Sequence, residues 1–109
     1  MSSTSETPLL DLLGSMTLES IEVSGLEPSE LMLVRIAALV AVDAPTVSYV
    51  TNLEAIASVG IDADRVRGVL AAVAPIVGTA RVASAIGKIG EALGVAIEGA
   101  ELQAEGNRS

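Results

Sequence analysis

The run LMLVRIAALVAV, from Leu31 to Val42, is apolar at every position except Arg35. Pro28 precedes it, Glu30 lies in the turn where a carboxylate favours the positive end of a helix, and Pro45 stands just past its end. Those signals predict one helix between the two prolines. A helix that is apolar all round cannot lie on a wet surface, so it belongs among other helices. No strand alternation stands out elsewhere, and the predicted fold class is all-α, with five or six helices.

The rest of the chain supplies those helices. TPLLDLLGS reads as a short helix with Thr7 as cap, Pro8 in first position and a break near Gly14. MTLESIEVSG adds another helical turn or two. A third segment runs from Thr46 to Val59 and stops at Gly60. Its apolar stripe is Tyr49, Leu53, Ile56 and Gly60, flanked by Val50 and Ala57, with Thr51, Glu54 and Ser58 on the wet side. Asp62 caps the next helix, Pro75 loosens it late because it lacks an amide proton, and Gly78 ends it. Thr79 then caps a long helix in which Ala83, Gly87, Gly90 and Gly94 leave room for close helix contact. Residues 1–6 and 104–109 read as flexible tails around one domain, 7–103.

Composition narrows the function. Half the residues are apolar before the ten glycines are counted, whereas roughly 45–50% is usual for soluble chains with glycine included. Tyr49 is the only aromatic residue, so the apolar volume is aliphatic and suits tightly spaced helices. A small domain has too little interior for so much apolar surface, which predicts a homo-oligomer. The net charge of −8 argues against a nucleic-acid or membrane-surface partner. The longest uncharged run, Gly68 to Ala80, is shorter than the ~20 residues a bilayer span needs. The start MSSTSETP has neither the basic nor the apolar region of a signal peptide, so the expected location is cytoplasmic. Without Cys or His there is no thiol chemistry, no disulfide framework and no imidazole base or metal ligand. The acids are scattered, and neither a metal nor a cofactor is expected. The glycines of GKIGEALG sit within a helical pattern with no preceding strand, unlike a nucleotide-binding loop.

Two arginines carry the remaining chemistry. Arg35 has only Leu31, Met32, Ala38 and Leu39 as helical neighbours, so no local acid answers it. It serves either a structural ion pair or bonds to helix carbonyl ends, or it grips a substrate carboxylate in a pocket. Arg81 stands in the first turn of the last helix, where a cation is locally unfavourable. It marks a carboxylate-binding spot or is simply solvated.

ELMLVRIAALVAVDAP, the spacing to NLEAIASVG, then IDADRVRGVL and PIVGTARVASA together resemble the carboxymuconolactone decarboxylase family, which includes the AhpD-like alkylhydroperoxidases. The resemblance covers Leu26 to Ile97. It implies an AhpD-like helical bundle that assembles into trimers or hexamers, with a pocket near the subunit contacts. The redox branch of that family carries two cysteines three apart and a histidine four later. Counted back from Gly60, those positions are Pro45, Ser48 and Asn52, and an upstream acid falls near Leu33, with Glu30 as its displaced equivalent. The redox residues are missing, so this chain is not a thiol peroxidase.

The decarboxylase branch acts on a lactone bearing carboxylates, which calls for cationic anchors and a proton donor. The resemblance therefore makes Arg35, Asp43, Ser48, Tyr49, Asn52 and Arg81 the ligand-binding candidates, with no catalytic base assigned. Pro45, Ser48 and Asn52 share one helix face with Tyr49 at its edge, and the same polar groups would equally serve packing if neighbouring carbonyls satisfy them. The expected function is a non-redox lyase or isomerase acting on a small carboxylic acid. The alternative is a non-catalytic oligomer that binds a small apolar ligand or a partner protein.

Overall fold

The computed structural model describes residues 7–107, with side chains as far as residue 94. It is all-helical: α1 (Pro8–Ser24), α2 (Pro28–Ala41), α3 (Thr46–Ser58), α4 (Ala63–Val77) and α5 (Thr79–Asn107), with no strand among the described residues. No helix there is long and apolar enough to cross a membrane. The expected tail at residues 1–6 lies outside the described residues, as do residues 108 and 109. Helix α5 continues through Asn107, past the boundary expected at residue 103.

Local signals explain most of the element ends. Glu27 and Glu30 form a reciprocal capping box at the start of α2, with Glu27 N donating to Glu30 Oε1 at 3.0 Å. Asp62 Oδ1 accepts from Arg65 N at 2.9 Å and starts α4. Helix α3 ends where Gly60 turns left-handed at φ 79°. Gly60 N then donates to Ala57 O at 3.0 Å and Ile61 N to Ile56 O at 3.3 Å, which satisfies carbonyls the helix leaves open. Pro75 lies in the last turn of α4, and the helix carries on to Val77 before Gly78 ends it. Thr79 is the first residue of α5 rather than a cap outside it.

Gly14 does not break the first helix, and the two short segments expected there are one helix, α1. A glycine inside a helix costs only about 1 kcal/mol relative to alanine. The stop comes from Gly25, left-handed at φ 63°.

The core lies where α2, α3, α4 and α5 meet. Met32, Ile36 and Val40 from α2 pack with Tyr49 and Ile56 from α3, Leu70 from α4, and Ala85 and Ala92 from α5. Helices α3 and α5 make the most extensive pairing, followed by α2 with α4. Helix α2 is thus central, but not on every side: Val34 is 55% exposed, and Val42, just past its end, is 70% exposed. On α5 the small residues Ala83, Gly87, Gly90 and Gly94 are exposed, and a Cβ built on any of the three glycines meets nothing within 4 Å. Within the chain, no helix packs closely on that stripe.

Helix α1 stands apart. It buries no residue and shares no extended packed face with another helix. Leu9, Leu10, Leu12, Leu13, Met16 and Leu18 are 48–67% exposed.

Candidate functional site

The candidate residues separate into two places. The first is a cleft of about 550 Å³ where α1, α2 and α3 converge. Leu13, Met16, Thr17 and Ser20 line it from α1, Arg35, Ala38 and Leu39 from α2, and Thr51 and Asn52 from α3. The positions one turn from Arg35 on α2 are Leu31, Met32, Ala38 and Leu39, so no acid there draws it away from the cleft. Its Nη2 donates to Thr17 O at 3.3 Å and to Ser20 Oγ at 3.2 Å. No carboxylate pairs with it among the described residues. A guanidinium has five N–H donors in a rigid fork, so these two bonds from Nη2 leave donors for a further partner.

Asn52 and Ser48 are less free. Asn52 Nδ2 donates to Ser48 O at 2.7 Å, and Thr51 Oγ1 donates to the same carbonyl at 3.0 Å. These are the backward side-chain bonds by which polar residues settle within a helix. Ser48 is half-buried and lines neither cleft.

The second place is the corner between α2 and α3, held against the start of α5. Asp43 sits there at φ 52°, the one non-glycine among the described residues in the left-handed region. That conformation costs roughly 1–2 kcal/mol for an ordinary side chain, and Asp is among the few residues that visit it. Asp43 N donates to Val40 O at 3.1 Å and Ala44 N to Leu39 O at 3.0 Å, repeating the helix ending that Gly60 makes in α3. The Asp43 carboxylate accepts from Ser84 Oγ at 2.7 Å and from Lys88 Nζ at 2.9 Å. Lys88 Nζ also donates to Asp43 O at 3.3 Å, and Arg81 Nη1 donates to Ala41 O. Arg81, Ser84 and Lys88 are spaced so that one face of α5 presents all three. Two cations thus meet the negative end of α2, where a helix favours positive charge.

This corner perturbs two ionisations. The hydrogen bond from Lys88 holds the Asp43 carboxyl below its ordinary pKa of 3.8; the bond from Ser84 and the charges of Lys88 and Arg81 act in the same sense, and partial burial opposes them. Tyr49 is 2% exposed and its hydroxyl has no hydrogen-bond partner among the described residues. Burial raises its pKa above 10.0, and the Asp43 charge raises it further.

Arg35 and Asn52 therefore share a cleft, Asp43 and Arg81 share a corner with Tyr49 near it, and no single pocket gathers all six candidates. Arg81 is exposed, and it serves the end of α2 through its bond to Ala41 O. Sequence reasoning missed Thr17, Ser20, Ser84 and Lys88. The spacing of Arg81, Ser84 and Lys88 was a signal for a shared face, but nothing in it named Asp43 as their partner. Among the described residues no three acids converge on a metal-binding site.

A second, larger cleft of about 840 Å³ lies between α3, α4 and α5. Its walls are aliphatic, including Leu53, Ile56, Val66, Leu70, Ile86 and Leu93, and its charges are Glu54, Asp62 and Arg67. Arg67 pairs with Asp64 one turn away on α4.

No family model, curated protein or solved structure matches this chain.

Proposed function

We propose that the Arg35 cleft binds a small carboxylic acid, in a non-redox protein related to the carboxymuconolactone decarboxylases. The observation that carries this reading is Arg35 itself: a cation with no carboxylate partner among the described residues, held by two bonds in the lining of a cleft. Thr17, Ser20, Thr51 and Asn52 surround it with small polar groups, while Leu13, Met16 and Leu39 supply an apolar wall. A carboxylate gripped by the guanidinium, with its carbon skeleton on that wall, uses both halves of the lining.

The cleft holds no Asp, Glu, Lys or Tyr that could transfer a proton. Its own groups support binding and orientation, and lyase or isomerase turnover is the activity to assay on whatever acid binds. Calorimetry with a series of mono-, di- and tricarboxylic acids tests the reading. Saturable binding that weakens at least tenfold in Arg35→Gln is expected. Absence of binding by every acid at millimolar concentration overturns it.

The uncovered helix α1 favours a second reading that is compatible with the first. We propose that the chain is a homo-oligomer, a trimer or hexamer, because α1 exposes Leu9, Leu10 and Leu12 at 57–66%. Light scattering coupled to gel filtration checks this, and a monomer at tens of micromolar contradicts it.

A further inference from the structure

The cation that would hold a ligand is already in use. Arg35 Nη2 donates to Thr17 O at 3.3 Å and to Ser20 Oγ at 3.2 Å, and both acceptors belong to α1. We propose that Arg35 is a latch: a carboxylate seated on its guanidinium displaces α1 and loosens that helix. This inference rests on the carboxylate reading of the Arg35 cleft and names a conformational consequence of filling it.

The choice of nitrogen makes the two uses compete. A carboxylate is gripped by two parallel N–H bonds. A guanidinium offers two such forks, one from Nη1 and Nη2 and one from Nε and Nη2. Nε and Nη1 form no third fork, because the side chain's own Cδ lies between them. Nη2 is thus common to both, and its two hydrogens already have two acceptors. A carboxylate on either fork meets Thr17 O or Ser20 Oγ as a rival. The ligand has the advantage. Both oxygens of α1 are neutral and lie at the long end of hydrogen-bond distances, whereas a carboxylate brings the opposite charge.

Little opposes the release of α1. It buries no residue and shares no extended packed face with another helix. Leu13 and Met16, which line the cleft, remain 48% and 54% exposed. Nor does unlatching strand a polar group. Thr17 O lies within the helix, where the amide four residues on also claims it. Ser20 is exposed, so its hydroxyl returns to water. Thr17 Oγ1 donates back to Leu13 O at 3.0 Å and takes no part. In the link to α2, residues 25–27, Gly25 stands at φ 63° with open space where a Cβ would be. Glycine is the residue that pivots there without steric cost. Ala38, Leu39, Thr51 and Asn52 keep the ligand's seat on α2 and α3.

Because one side chain serves both events, they are linked reciprocally. The factor by which the latch weakens the ligand is the factor by which the ligand weakens the latch. Any change that lowers the latched fraction therefore raises apparent affinity.

Acetate, succinate and citrate, one from each acid class, serve as probes on the full chain at matched ionic strength. Calorimetry reads affinity. Hydrogen–deuterium exchange reads α1 with the tightest binder of the three at saturation. Amides of residues 8–24 are expected to exchange about threefold faster or more in the bound protein, with α2 and α3 unchanged or slowed. Ser20→Ala, an exposed change to a strong helix former, is expected to tighten binding about threefold, the size of one modest hydrogen bond. Arg35→Gln is expected to abolish the effect of the probe on α1. Binding that leaves α1 as protected as before, or protects it more, overturns the latch and leaves the carboxylate site standing. So does a Ser20→Ala variant that binds no tighter. Absence of saturable binding by all three acids at millimolar concentration removes the latch together with the reading it rests on.

Discussion

Lys88 Nζ lies 2.9 Å from Asp43 Oδ1, joining the third turn of one helix to the end of another, 45 residues apart in sequence. The pair has a conformational role as well as an electrostatic one. It holds a left-handed aspartate at a helix ending where glycine is the usual occupant. The depressed Asp43 pKa gives the sign of the pH dependence. A carboxyl that ionises more readily when folded stabilises the fold above its unfolded pKa, and the contribution is lost as pH falls through the folded pKa. Comparing thermal melts of the protein and Asp43→Asn, the gap in stability is expected to be full above pH 5 and to narrow below 3.8. A gap independent of pH contradicts an ionised partner for Lys88.

Tyr49 supplies a second prediction. Its hydroxyl is buried without a partner among the described residues, and an unsatisfied buried donor is a cost that phenylalanine does not carry. Tyr49→Phe is expected to leave stability unchanged or raise it by about 1 kcal/mol in urea unfolding. A loss of more than about 1 kcal/mol would reveal a bond made by that hydroxyl. As the sole aromatic residue, Tyr49 can also be titrated directly by phenolate absorbance. Its ionisation is expected above pH 10.0. Since the unfolded chain then releases the proton first, stability falls as pH rises past that value.

Helix α2 allows a contrast along one element. Ile36 is 1% exposed and Val34 55%. Ile36→Ala is expected to cost about 2–5 kcal/mol, a large share of the stability of a small domain. Val34→Ala is expected to change it by about 0.5 kcal/mol or less. Equal effects in chemical denaturation would place the core elsewhere.

Arg35 has a structural consequence apart from any ligand. Its bonds to Thr17 and Ser20 join α1 to α2. Arg35→Ala is expected to speed amide exchange across residues 8–24, with a global cost of about 1 kcal/mol. Unchanged protection of α1 would show that these bonds do not hold it.

Caps and periodicity were readable before the structure. Glu30, Asp62 and Gly60 act within a few residues of themselves, and the stripe of Tyr49 and Ile56 follows from helical spacing alone. Gly14 misled because one weak helix former was weighed as a stop, while the true stop at Gly25 depends on backbone conformation. The split of the candidate site was not readable. Whether Arg35 faces Ser20 and whether Lys88 faces Asp43 depend on how distant helices cross, and no local preference encodes that. The small residues on α5 show the same limit, since their spacing permits a close neighbour without naming one.

The corner at Asp43 also bears on the order of events during synthesis. Its hydrogen-bonding partners lie 40 to 45 residues downstream of the groups they meet. A chain emerging from the ribosome has α2 and α3 in hand well before Arg81, Ser84 and Lys88 appear, so the left-handed turn stays unanchored until the last helix arrives. Final locking of this molecule is accordingly a late event, coupled to its C-terminal third.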